Sequence, residues 1–163
     1  MTPDTAQEPP PPARPLLTRG MLAIGSAGLL SAMATDALAV AGRHAGVRLL
    51  GAIEIVQACI VLIATSAIVL ATLVDGHARV HILLERLASG RANRLLRVAD
   101  ALSALVFLGL AIGSAWLASD LWDAFEWTEI LHLPLRWLRL AWILGALAAA
   151  IMFARRAVTR RAA

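Results

Sequence analysis

Four apolar runs, at residues 21–40, 49–74, 98–118 and 133–154, take up most of this 163-residue chain and leave few folds open to it. A helix rises about 1.5 Å per residue and the hydrocarbon core of a bilayer is about 30 Å thick, so each run is long enough for one crossing. Lipid offers no hydrogen-bond partner to a backbone amide, so each crossing is expected to be helical throughout. The expected fold is therefore an all-α membrane protein with four transmembrane helices. Too little chain remains outside them for a globular enzyme domain.

Composition agrees. Hydrophobic residues make up 60% of the positions, and the mean hydropathy of +0.74 exceeds that of ordinary soluble domains. The sequence pI near 11.2 would suit a nucleic-acid binder, but the fifteen basic residues are all arginine and gather at the ends of the apolar runs. That is the pattern of membrane anchors, so lipid is the expected partner and nucleic acid is not. The single cysteine, Cys59, lies within a run and excludes an internal disulfide. The first run is too long for the apolar core of a cleaved signal peptide, and three more runs follow it. Residues 1–15 are proline-rich with little to bury and read as a disordered tail; residues 16–156 form the membrane domain and 157–163 a basic tail.

Arginine placement gives an orientation. Arg14 and Arg19 precede the first span, Arg79, Arg86, Arg91, Arg94 and Arg97 lie between the second and third, and Arg155, Arg156, Arg160 and Arg161 follow the fourth. The opposite side holds only Arg43, Arg48, Arg136 and Arg139. By the positive-inside rule both termini face the cytoplasm. All five tryptophans (Trp116, Trp122, Trp127, Trp137 and Trp142) flank the connection between spans three and four, which places that connection at the outer headgroup layer. It is also acidic, with Asp120, Asp123, Glu126 and Glu129, and these are either a docking surface for a soluble partner or simply solvated charges.

The longest connection, 75–97, is patterned. Val80, Leu83, Leu84 and Leu87 recur at i, i+3, i+4 and i+7, which predicts an amphipathic helix over about 78–89 lying in the cytoplasmic headgroup layer, with Arg79 among its basic residues. Ser89-Gly90 is expected to end that helix, and Asn93 to cap span three. The connection 41–48 is short, so spans one and two are expected to be antiparallel neighbours. Pro134 suits the first turn of span four, where a missing N–H costs little.

A charge inside a span needs a partner or water. Asp36, Glu54, Arg136 and Arg139 all fall in the outer layer of this topology. Three readings stand: an ion-pair cluster joining Glu54 to Arg139 and Asp36 to Arg136; Glu54 as a carboxylate that handles protons or substrate; or arginines that reach to the surface while Asp36 flanks its helix. Gly109 and Gly113 form a G-x-x-x-G that permits close helix packing. His77, His81 and Glu85 share a helical stripe but have nothing to complete a metal shell. No histidine lies at mid-depth to hold a haem, and no nucleotide fingerprint or nucleophile–base pair is present, so neither a cofactor nor enzyme activity is expected.

The segment 76–84 reads G-H-A-R-V-H-I-L-L. It resembles the G-x-H-I-R-V-D-L-L that follows the second span in the small membrane subunit of tripartite ATP-independent periplasmic (TRAP) transporters. His77, Arg79 and Val80 match, whereas Ala78 and His81 depart from the pattern and Gly76 stands one place nearer the histidine than the pattern's glycine. Glu54 stands at the family's acidic position early in span two. Leu133-Pro134 followed by Trp137 is similar to its L-x-P-x-W, without the tyrosine and second proline that often follow. The resemblance covers about residues 16 to 156. It implies a non-catalytic permease subunit in a bacterial inner membrane. This subunit would brace a large sodium-coupled permease subunit that is fed an organic acid, such as a dicarboxylate, by a periplasmic substrate-binding protein. On that reading the acidic outer connection is a candidate contact for the binding protein. Two other four-helix classes remain as alternatives: a haem- or quinone-binding anchor of a respiratory complex, and a small multidrug-type exporter.

Overall fold

In the computed structural model, residues 15–74, 89–124 and 126–159 are described. They form four helices: α1 (Pro15–His44), α2 (Ala52–Leu73), α3 (Ser89–Asp120) and α4 (Leu135–Thr159). All four are long and apolar enough to cross a membrane. The expected amphipathic helix over 78–89, with His77, Arg79, Val80, Leu83, Leu84 and Leu87, lies almost wholly outside the described residues.

The helices outrun the apolar stretches that predict them. α1 begins at Pro15, where proline's fixed φ suits a first turn, and it carries Arg19 and Arg43 within its ends. α3 likewise starts a full nine residues before the apolar run, at Ser89, and includes Arg91, Arg94 and Arg97. One expectation about a boundary therefore fails: Asn93 sits in the second turn of α3 instead of capping it. The expectation that Ser89-Gly90 closes the preceding helix rests on residues outside those described. Helical hydrogen bonding does not stop where hydrocarbon stops, because polar residues in the headgroup layer support the same backbone. Pro134 lies one residue ahead of α4, and its carbonyl accepts the Trp137 amide at 3.3 Å.

Packing follows the order α1–α2–α4–α3. α1 lies on α2, α2 on α4 and α4 on α3, with no comparable contact between α1 and α3. The arrangement is an open row, not a closed bundle. Burial reflects it: about a quarter of the central residues of α2 and α4 are buried, against about a tenth for the edge helices α1 and α3.

Small residues let the inner helices approach their neighbours. A Cβ on Gly28 of α1 would sit 3.1 Å from the Ile63 side chain and 3.4 Å from the Cys59 carbonyl of α2. One on Gly25 would be 2.7 Å from the Ser66 hydroxyl, and one on Gly145 of α4 would run into the Thr65 methyl group. α4 buries Gly145, Ala146, Ala149, Ala150 and Phe153, a narrow side that suits a helix packed on both flanks. Phe153 stacks on Phe107 of α3 at 5.7 Å between ring centres. Hydroxyls within the spans bond backward to their own helix: Thr35 to Ser31, Ser66 to Ile63 and Thr72 to Ile68, at 2.8–3.0 Å. Each thereby avoids an unpaired polar group in lipid.

Candidate functional site: the polar cap at one end of the row

The connections α1–α2 and α3–α4 meet at the same end of the molecule, and most of the polar groups flagged by sequence collect there. Gly51 stands at the N-cap of α2 with φ +80°, a conformation that glycine adopts without strain. The Leu131 side chain lies against it, 2.7 Å from where a Cβ would be. Three residues on, in the first turn of α2, Glu54 points its carboxylate at the α3–α4 connection. The Ile130 amide donates to one oxygen at 2.8 Å and the Leu131 amide to the other at 2.7 Å. The Thr128 hydroxyl and the His132 ring stand beside the same carboxylate.

That connection is folded to present those amides. Trp127 and Pro134 form an antiparallel bridge. The Thr128 amide donates to the Leu133 carbonyl at 3.1 Å, and the Leu133 amide returns the bond to the Thr128 hydroxyl at 3.0 Å. His132 takes a left-handed φ of +52°, which reverses the chain and leaves the amides at 130 and 131 facing α2. Thr128 is buried within the turn.

The ion pairs expected from sequence are different in the structure. Arg139 does not pair with Glu54; it bonds Glu126 of the α3–α4 connection, thirteen positions away. Nor does Asp36 pair with Arg136. Asp36 is exposed on α1, while the Arg136 guanidinium lies 5.7 Å from the centre of the Trp137 ring. The reason is positional. Arg136 and Arg139 sit on the first turns of α4 beside the connection they adjoin, so the nearest acid is Glu126, and Glu54 is already filled by two backbone donors. Asp36 and Glu54 instead border an open hollow of about 1100 Å³, together with Arg43, Arg48, Gln57 and Glu129.

Of the acidic quartet in the connection, Asp120, Asp123 and Glu129 are exposed, whereas Glu126 is half-buried and engaged. Gly109 and Gly113 meet no atom within 4 Å, so the close packing anticipated there is not with another helix of this chain among the described residues. Sequence reasoning missed the groups that do make close contacts, Gly25, Gly28 and Gly145, because they do not form the four-residue motif. It also missed Arg156, near the end of α4, which donates to the Thr72 carbonyl at the C-terminal end of α2. An arginine three positions after a buried aromatic residue, beside the equally basic Arg155, carries no such signal in sequence.

Four membrane helices in an open row, with polar side chains gathered over one end, define a small multi-pass membrane protein. The family model described as "Tripartite ATP-independent periplasmic transporters, DctQ component" matches residues 32–163. The chain belongs to that family, the small permease component of TRAP transporters. Among curated proteins and solved structures, none matches it.

Proposed function

We propose that the chain is a non-catalytic subunit that braces the large, sodium-coupled permease subunit of a TRAP transporter during uptake of an organic acid such as a dicarboxylate. The observation that carries this reading is the open row. Its edge helices expose Leu29, Leu30 and Met33 of α1 and Leu102, Leu105 and Ile112 of α3. These apolar surfaces invite a neighbour, and a row without a closed interior is better suited to support than to conduction. The charged side chains lie toward the helix ends, consistent with the substrate pathway belonging to another chain. Arginine distribution supports cytoplasmic termini in a bacterial inner membrane. The polar cap would then lie on the periplasmic side, with Asp120, Asp123 and Glu129 available to a substrate-binding protein.

The test is co-expression with the large permease subunit, capture through this chain, and uptake by proteoliposomes. The two subunits are expected to co-purify, and sodium-dependent uptake to require both of them together with the binding protein. Uptake by this chain alone, or failure to capture the large subunit, would overturn the proposal.

A further inference from the structure

A second concave surface lies toward the opposite end of the row, away from the polar cap. It is a groove of about 570 Å³ with its floor on α2 at Thr65 and Val69 and its walls on α1 at Met21 and on α4 at Ala148 and Ile151. Arg155 and Arg156 close one end, and no acidic side chain among the described residues lines it. The Arg156 guanidinium is held in place, bonded to the Thr72 carbonyl and 5.8 Å from the Phe153 ring centre. Arg155 is exposed and makes no ion pair among the described residues.

Two properties narrow what fills the groove. Along α4 it runs from Ala141 to Arg155, a rise of about 21 Å at the helical spacing. One leaflet of a bilayer, headgroup layer included, is about 20–22 Å thick. The lining of the groove is aliphatic for most of the length and cationic only at the end.

We infer that this groove holds one phospholipid, an acyl chain lying over α2 between α1 and α4 and its anionic headgroup on Arg155 and Arg156. The site is independent of the bracing role. A single arginine near an anionic headgroup is worth roughly fivefold in affinity, and that sets the size of the effect to look for.

The experiment is native mass spectrometry of the full-length protein, delipidated in detergent and titrated with phosphatidylglycerol or phosphatidylcholine. One phosphatidylglycerol per chain is expected to be retained in preference to phosphatidylcholine. Arg155→Gln should reduce that preference about fivefold, while Arg43→Gln at the far end of α1 should leave it unchanged. Ala148→Phe, which fills the groove, should displace both lipids; circular dichroism confirms that the variant is folded. Equal retention of the two lipids, no effect of Arg155→Gln, or lipid retained by a folded Ala148→Phe protein would overturn the inference. So would quantitative cross-linking of a cysteine at position 148 to the large permease subunit, or to residues 1–14 of this chain.

Discussion

The Leu131 amide donates to the Glu54 carboxylate at 2.7 Å across 77 positions of sequence. This bond, with its companion from Ile130, fastens the α3–α4 connection over the start of α2. A carboxylate in the first turn also faces the positive end of its own helix, which favours the ionised form as acceptor. Glu54→Gln keeps the shape but puts a donor where one of the amides now finds an acceptor. Hydrogen exchange at Ile130 and Leu131 is expected to accelerate in this variant while mid-helix amides of α2 stay protected. Unchanged protection at 130 and 131 would show that the carboxylate does not hold the connection.

The partner of Arg139 can be settled by coupling energies. Arg139→Ala and Glu126→Ala should be non-additive by roughly 0.5–1 kcal/mol, the range of a partly exposed pair. Arg139→Ala and Glu54→Ala should be nearly additive, because no bond joins them. Thermal unfolding of the three single and two double variants in one detergent measures both cycles.

Glycines in this chain divide into two kinds. Gly145→Ala forces a methyl group into Thr65 and is expected to destabilise the isolated chain by about 1–3 kcal/mol. Gly109→Ala meets nothing within 4 Å and should be neutral or stabilising by up to about 1 kcal/mol, the gain in helix propensity. If Gly109→Ala nevertheless weakens capture of the large subunit, α3 is the docking edge.

At the other end of α2, Arg156→Gln shortens the reach to the Thr72 carbonyl and removes the charge. The expected loss is about 1–2 kcal/mol, for one hydrogen bond from a charged donor at a part-buried position. Exchange should quicken in the last turn of α2 and leave the polar cap untouched.

Charge reversal tests the proposed contact with a binding protein. Asp120→Arg with Asp123→Arg is expected to slow uptake by lowering the association rate, with the defect shrinking as salt rises. Glu126→Arg is a different experiment, since it also breaks the bond to Arg139. Uptake unchanged by the first pair would remove Asp120 and Asp123 from the contact.

The four crossings were readable from sequence because lipid allows only one backbone solution for a long apolar run. Their ends were not. α3 opens at Ser89 and carries three arginines before its apolar stretch, since helical bonding continues through the headgroup layer. That Glu54 matters was also readable, from the cost of a charge near a span. Its partners were not, because they are backbone amides and every residue type except proline supplies one. Only the fold of the connection, with Thr128 bonding around to Leu133 and His132 in a left-handed conformation, decides which amides face α2. The row order was hidden for a similar reason: Gly25, Gly28 and Gly145 each meet their own neighbours on the facing helix and leave no repeat to recognise.

The order α1–α2–α4–α3 has a mechanical corollary. A single file of rods encloses nothing, yet it extends the footprint of whatever it is attached to within the plane of the bilayer. The two inner rods are cross-tied top and bottom, by Glu54 to the turn ahead of α4 and by Arg156 to the tail of α2, so the middle of the file resists shear. If the proposed bracing role holds, a broad, stiff strip of this kind would act on its attachment as an outrigger acts on a hull, opposing roll while adding no cargo space.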